Sequence, residues 1–132
     1  MKSYYVYIYF DSGKDDEPFY VGKGQGRRCY SHMQSWRLDE SKPYNTNPPL
    51  IRRLKRILSK NYEPTVVTVD CSTEVAAYEL ERGLIDLIGR KDRKKGPLLN
   101  LIDGIADPEA TVRGIDYDYC REVWENWCKT SA

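Results

Sequence analysis

A glutamate lies on the apolar stripe of a predicted helix between residues 74 and 88. Leu84 and Ile88 share that stripe with Glu81, because residues three and seven apart lie on one helical face. An unpaired carboxylate on such a face is costly to bury. Glu81 therefore needs an arginine or lysine partner, a hydrogen-bond network or a metal ion, whereas Glu79 lies on another face and is expected to be solvated.

An arginine and the single histidine of the chain stand four residues apart, just after a glycine-rich turn. If this segment is α-helical, Arg28 and His32 lie on the same face. A guanidinium group matches the oxygen atoms of a phosphate with planar donors and keeps its charge. A lone histidine is more often structural than catalytic, but its place beside Arg28 makes a catalytic role an equal alternative here.

Tyrosines recur on two strands that are predicted near the N-terminus. Tyr5, Tyr7 and Tyr9 alternate with aliphatic residues, and Tyr20 stands on the following strand. An aromatic residue on a strand usually belongs to the core, and this stays the alternative for each of them. A hairpin that brings two phenols beside an arginine, a histidine and a glutamate predicts an active site instead.

Three strands are predicted to position these residues. They are Tyr4–Phe10, Pro18–Val21 and Thr65–Val69, which are apolar, aromatic or β-branched runs bounded by turn formers. The first two should form a hairpin with a long loop, and Gly22, Gly24 and Gly26 should end the second strand. The pattern indicates an α+β fold with a small three-stranded antiparallel sheet.

Four helices are predicted around this sheet. A short helix follows the glycines over residues 27–33, and a second over residues 48–58 is capped by Asn47. The helix over residues 74–88 is capped by Ser72 or Thr73 and ended by Gly89. A tail helix from about Asp116 has an apolar face that should dock on the core. The stretch over residues 34–49 has no clear period and is expected to be irregular.

Composition limits the class of protein. A length of 132 residues corresponds to one domain, and no apolar run approaches the roughly 20 residues that span a bilayer. The N-terminus lacks the features of a signal peptide, so we expect a cytoplasmic location. The four cysteines form no C-x-x-C pair, which predicts reduced thiols and argues against a structural zinc site.

Basic residues are concentrated in one part of a nearly neutral chain. Residues 23–60 contain ten lysines and arginines but only two acids. A positive segment of this kind can bind a polyanion, although a solvated helix surface is the plainer interpretation. The bases expected to contact DNA phosphates are Lys23, Arg27, Arg52, Arg53 and Arg56.

The order of these residues resembles the GIY-YIG nuclease superfamily. Val6-Tyr7 and Tyr20-Val21-Gly22 stand for its two signature tripeptides, and Arg28, His32, Glu81 in a Glu-x-x-Leu-Ile helix and Asn100 follow in order. The runs Phe19-Tyr20-Val21-Gly22-Lys23-Gly24 and Asn100-Leu101-x-Asp103-Gly104 are most similar to the subfamily of animal LEM-domain nucleases and their bacterial and phage relatives. The resemblance covers Tyr5 to Gly104. Tyr5 in place of glycine, Val21 in place of isoleucine and Ile105 in place of a second glycine depart from the pattern.

The resemblance implies a metal-dependent endonuclease that acts on DNA, with a nuclease domain over residues 1–105 and an extension over residues 106–132. Glu81 would bind Mg²⁺ or Mn²⁺, and Arg28 would hold the scissile phosphate. Tyr7 would take a proton from the attacking water, with help from His32 and Lys23. Tyr20 would position water or phosphate, and Asn100 would orient the substrate or a catalytic neighbour. Tyr5 and Tyr9 stand outside this chemistry, so loss of either hydroxyl is expected to be nearly silent.

Two other functions are weighed against the nuclease. A binding module on the same scaffold would not need the glutamate, since an acid at that position does not help to bind phosphate. A nucleotide-binding protein could use the run Gly22 to Gly26 as a phosphate cradle, but this run lacks the spacing of a P-loop or of a dinucleotide fingerprint. Oligomeric state stays open between monomer and homodimer, and the biological role stays open.

Overall fold

The computed structural model describes residues 4–33, 38–39, 41–42, 46–102 and 114–130. The predicted irregular stretch over residues 34–49 and the Asp103-Gly104 pair fall partly or wholly outside this part. Within it, no helix is both long enough and apolar enough to cross a membrane.

A three-stranded antiparallel sheet forms the centre of the molecule. Strand β1 covers Tyr4–Asp11, β2 covers Glu17–Gly24 and β3 covers Thr65–Cys71. Their order is β2-β1-β3, so β1 is the central strand and both neighbours run antiparallel to it. The α+β fold and the sheet predicted from the sequence are confirmed.

The predicted end of β2 is correct at Gly24, the last residue of the strand, but wrong at Gly22, which lies inside it. Gly22 pairs with Tyr7 of β1, and Gly24 pairs with Tyr5. A Cβ on Gly22 would lie 2.3 Å from Cζ of Tyr7. The glycine is there to make room for a side chain of the neighbouring strand, and the strand continues through it.

A β-bulge disturbs the hairpin between Tyr9 and Phe10 of β1. Tyr9 pairs with Tyr20 and Phe10 pairs with Pro18, so Phe19 is the additional residue of β2. Phe19 is fully buried and packs against Tyr9. The bulge thereby places both Phe19 and Tyr20 against the aromatic face of β1.

In the part of the chain that the structure describes, three α-helices surround the sheet. Helix α1 covers Pro48–Ser59, α2 covers Glu74–Ile88 and α3 covers Tyr117–Thr130. The Asn47 side chain accepts a hydrogen bond from the Leu50 N–H, and the Thr73 side chain accepts one from the Ala76 N–H. Gly89 follows α2 with a φ of 96°. These caps and the C-terminal helix agree with the prediction.

The two faces of the sheet build two separate cores. Alternate side chains of a strand point to opposite faces, so the three tyrosines of β1 pack toward α1, with Leu50, Leu54 and Cys29. The aliphatic residues between them pack toward α2 and α3. That second core consists of Val6, Ile8, Phe10, Val21, Ala77, Leu80, Leu84, Ile85, Ile88, Leu98, Cys120, Val123 and Trp127.

Helix α3 lies close against α2. A Cβ on Gly83 would come within 2.3 Å of the Cys120 sulfur, so the small residue allows the two helices to approach. Val123 and Trp127 bury the rest of the contact face. A division between residues 105 and 106 stays a prediction, because residues 103–113 lie outside the described part.

Candidate active site

The Tyr7 phenol lies over the edge strand β2. Tyr7 belongs to the central strand, but its ring lies over Gly22 of the edge strand β2, where a Cβ would be 2.4 Å from the hydroxyl oxygen. The side chain is only 2% exposed. Burial raises the pKa of Tyr7 well above 10, and the neighbouring Tyr20 and Tyr9 raise it further, while the positive charge of Arg28 acts in the opposite direction.

Glu81 is buried on α2, at 8% exposure. Removal from water raises the pKa of its carboxyl from 4.5 to about 7, and the charges of Lys23 and Arg28 oppose this rise. Its negative charge in turn raises the pKa of Tyr7. Glu81 thus lies close enough to Lys23, Arg28 and Tyr7 for its charge to act on each of them.

Lys23 is held on the α2 side of the edge strand by an aromatic residue that the sequence analysis missed. Its ammonium nitrogen lies 4.2 Å from the centre of the Tyr78 ring, within the range of a cation–π interaction. Tyr78 stands three residues before Glu81 on α2 and therefore shares its side of the helix. This spacing was the signal in the sequence that could have identified it.

Arg28 begins a 3-10 helix, Arg28–Met33, where an α-helical spacing was considered. Residues three apart are aligned in a 3-10 helix, so a spacing of four does not place Arg28 and His32 on one face. The His32 side chain lies outside the described part of the chain. Gly24 leaves room for the Arg28 side chain, since a Cβ on Gly24 would lie 2.8 Å from Cβ of Arg28.

Two tyrosine hydroxyl groups hold this 3-10 helix to the sheet. The Tyr5 hydroxyl accepts a hydrogen bond from the Cys29 N–H at 3.0 Å and donates one to the Gly26 carbonyl at 2.6 Å. The Tyr9 hydroxyl donates to the Cys29 carbonyl. Both polar groups of the Cys29 backbone are therefore bound to β1, and Arg28 is the residue immediately before Cys29. This role of the Tyr5 and Tyr9 hydroxyl groups was not predicted from the sequence.

Asn100 binds the backbone of the edge strand. Its side-chain oxygen accepts a hydrogen bond from the Val21 N–H at 3.0 Å, and its side-chain nitrogen donates to the Val21 carbonyl at 2.8 Å. Val21 lies between Tyr20 and Gly22. One side chain thus binds both polar groups of the Val21 backbone, and the predicted roles of Asn100 in orienting the substrate or a catalytic neighbour stay predictions.

The predicted DNA-binding bases of α1 differ in their exposure to solvent. Arg53 is 6% exposed and forms ion pairs with Asp11 at 3.1 Å and with Glu17 at 3.2 Å. Its prediction as a DNA contact is wrong, because its charge is buried and satisfied at the closed end of the hairpin. Arg52 and Arg56 are exposed, and Arg56 lines a cavity of about 410 Å³ beside that same end.

The donor set fits a hard divalent cation better than zinc. Within the ranges that the structure describes, no three His, Cys, Asp or Glu side chains gather in a group that could hold a metal ion. Mg²⁺ is often held by one or two carboxylates, with water and substrate oxygens completing its shell. A single buried Glu81 matches that requirement, and a bound cation would offset the burial that disfavours its charge.

These groups define a site with the means to process a phosphate ester: a buried carboxylate, phenols and cations at one edge of a sheet. The family model of the LEM-3-like GIY-YIG domain matches residues 16–107. The chain belongs to this GIY-YIG family, which implies a function of the nuclease type. The match includes Tyr20, Arg28, Glu81 and Asn100 and begins after the strand that carries Tyr7. Searches among curated proteins and among solved structures returned no match.

The rival phosphate cradle over Gly22 to Gly26 does not agree with this geometry. Gly22 and Gly24 lie in β2, and the space above them is filled by Tyr7 and by the base of the Arg28 side chain. A phosphate therefore has no room to lie against the backbone at these two glycines.

Proposed function

We propose that this chain is a divalent-metal-dependent endonuclease that hydrolyses phosphodiester bonds in DNA. The observation that carries the proposal is the buried carboxylate of Glu81, which lies where the charges of Lys23 and Arg28 reach it and where its own charge reaches Tyr7. Buried ionisable groups whose pKa is shifted by desolvation and by specific charged neighbours cluster at functional sites. Membership of the GIY-YIG family supports the nuclease class.

Glu81 would hold Mg²⁺ or Mn²⁺ through its carboxylate oxygens. When bound, the cation would supply positive charge that stabilises the phosphate and the leaving alkoxide and lowers the pKa of nearby acids. Lys23 would remain beside the carboxylate, held over the Tyr78 ring, and would contribute a second positive charge on the α2 side of the strand.

Arg28 would bind the phosphate that is cleaved. Its side chain is exposed at the start of the 3-10 helix, and its guanidinium can donate two parallel hydrogen bonds to phosphate oxygens. Since the negative charge on those oxygens grows as the water attacks, a fixed cation stabilises the transition state more than the ground state. Tyr20 packs beside Tyr7 at 6.2 Å between ring centres and would position the water or the phosphate.

Tyr7 would accept the proton of the attacking water. Its phenol is neutral in the metal-free protein, because burial raises its pKa well above 10. It can act as a base only if positive charge is added beside it or if it passes its own proton on as it accepts another. Oxygen of the water then bonds to phosphorus as the bond to the leaving oxygen breaks, and water protonates the alkoxide.

A binding module without catalysis leaves Glu81 unexplained. Its negative charge weakens the attraction of Lys23 and Arg28 for a phosphate, and its burial costs stability. Both effects would be removed by an amide at this position. The carboxylate therefore has a use only where a cation or a proton must be handled.

Plasmid nicking by Glu81→Gln tests the proposal. We expect cleavage of supercoiled DNA in Mg²⁺ to fall by at least about 10²–10³-fold, because loss of a metal ligand removes several kcal/mol of transition-state stabilisation. Binding of a DNA duplex should be unchanged or tighter, since a negative charge is lost. Glu79→Gln is the matched control on the same helix and should cleave like the wild type. Full activity of Glu81→Gln would show that the metal is held elsewhere.

A further inference from the structure

The turn that follows α2 carries four exposed bases that the proposed mechanism does not use. We call Lys91–Lys95 the basic turn. Its four bases, Lys91, Arg93, Lys94 and Lys95, are all exposed. Its single acid, Asp92, is bound from within by Arg90, whose guanidinium donates to the two carboxylate oxygens at 2.9 and 2.6 Å. The exposed surface of the turn therefore presents positive charge that its own acid does not offset.

The basic turn has a fixed backbone. The Lys91 N–H donates to the Leu98 carbonyl at 2.7 Å, the Leu98 N–H donates to the Gly89 carbonyl at 3.0 Å, and the Lys95 N–H donates to the Arg90 carbonyl at 3.0 Å. Arg90 itself is buried and donates to the Leu101 carbonyl at 2.6 Å. Charges on a backbone that is already ordered lose less conformational entropy when they bind a ligand.

The turn is fastened to the edge strand of the candidate active site. Leu98 is hydrogen-bonded to Gly89 and Lys91, at the start of the turn. The next two residues contact β2: the Leu99 N–H donates to the Phe19 carbonyl at 2.7 Å, and Asn100 binds the Val21 backbone. Two residues span at most about 7 Å and paired chains lie about 5 Å apart. The start of the basic turn is therefore within about 12 Å of Asn100, which corresponds to a few nucleotides at roughly 3.4 Å each along a duplex strand.

The end of α2 does not need these bases. Cations stabilise a helix when they lie in its last turn, but the last turn of α2 contains none. Its C-terminus is completed by Gly89, whose N–H donates to the Ile85 carbonyl. A role in the stability of the helix thus gives no reason for four bases beyond it.

We propose that the basic turn is a second phosphate-binding element, which binds the backbone of the same nucleic acid a few nucleotides from the cleaved bond. This inference rests on the proposed function. The long exposed side chains suit contacts with phosphates rather than readout of bases, so the element would fix the path of the strand across the site without adding sequence specificity.

The test compares two triple variants that remove the same charge. Arg93→Gln/Lys94→Gln/Lys95→Gln alters the basic turn, and Lys14→Gln/Arg82→Gln/Arg121→Gln removes three exposed charges that lie outside both the turn and the basic segment over residues 23–60. Binding of a fluorescent DNA duplex is measured by anisotropy from low to high salt, in chelator, so that cleavage plays no part.

We expect the turn variant to bind about tenfold or more weakly at 0.15 M salt. The slope of log Kd against log salt should be smaller by about 0.9 for each phosphate that the turn no longer neutralises. The control should keep the wild-type slope, and Arg93→Lys/Lys94→Arg/Lys95→Arg should restore binding because it keeps the charge. A turn variant with the wild-type slope overturns the inference and leaves the nuclease proposal intact. A wild-type chain that binds DNA through the turn but does not nick it in Mg²⁺ would overturn the nuclease proposal and leave phosphate binding by the turn intact.

Discussion

At the scale of single residues, the hydroxyl groups of Tyr5 and Tyr9 occupy both polar groups of the Cys29 backbone. Tyr5 also binds the Gly26 carbonyl. Burial and the hydrogen bond to Cys29 raise the pKa of Tyr5 to about 12, so its hydroxyl keeps the proton that it donates. The position of Arg28, the neighbour of Cys29, follows from these contacts. Loss of the Tyr5 hydroxyl should therefore disturb the position of Arg28 and weaken its contact with the phosphate.

We expect Tyr5→Phe to reduce single-turnover cleavage at saturating DNA by about tenfold. The variant leaves the Cys29 N–H without its acceptor, which costs about 1–3 kcal/mol when the group is buried, and frees the segment that carries Arg28. Tyr62→Phe, at an exposed position, is the control. A loss of thermal stability with wild-type cleavage at saturation would mean that Tyr5 supports the fold only.

Among the elements, the edge strand β2 connects the Tyr7 side of the site with the side that carries Lys23 and Glu81. Its Gly22 leaves space for Tyr7, its Lys23 lies over Tyr78, and its Val21 is bound by Asn100. One strand thus presents a phenol of the neighbouring strand on one face and a cation near Glu81 on the other. The absence of a side chain at Gly22 is what makes this arrangement possible.

Gly22→Ala should lower cleavage by at least tenfold, because a Cβ would lie 2.3 Å from Cζ of Tyr7 and would displace the phenol. Overpacking of this kind costs about 1–3 kcal/mol, so part of the stability should also be lost, while DNA binding should persist. Gly114→Ala is the control, since no atom lies within 4 Å of a Cβ there. Equal cleavage by the two variants would contradict the placement of Tyr7 over Gly22.

Elements with a clear local periodicity were predicted well from the sequence. Features that depend on contacts between residues distant in sequence were predicted less well. The alternation in β1 and the caps Asn47 and Thr73 are local signals, and the structure agrees with them. The course of β2 through its glycines could not be read locally, since it depends on Tyr7 of another strand. The burial of Arg53 likewise depends on Asp11 and Glu17, which are distant in sequence.

At the scale of the whole molecule, the site lowers the stability of the fold that carries it. Glu81 is buried against the core of α2, and its pKa rises from 4.5 to about 7 on folding. Folding therefore favours the protonated form of this group. Below pH 4.5 the carboxyl is neutral in both states and has no such cost, whereas above pH 7 the folded state must hold the charge that the unfolded state hydrates.

The metal-free protein should consequently lose stability relative to Glu81→Gln as the pH rises through the window from 4.5 to about 7. The difference between those pKa values corresponds to on the order of 3 kcal/mol. Urea unfolding of both proteins in chelator at pH 4 to 8 measures it, and comparison with the amide cancels the titration of all other groups. Mg²⁺ at pH 8 should then raise the melting temperature of the wild type and not that of the variant, because a cation that binds only the folded state stabilises it. Parallel curves for the two proteins across this window would mean that the Glu81 carboxyl is hydrated in the folded state, and an equal effect of Mg²⁺ on both proteins would mean that the cation is held by other groups.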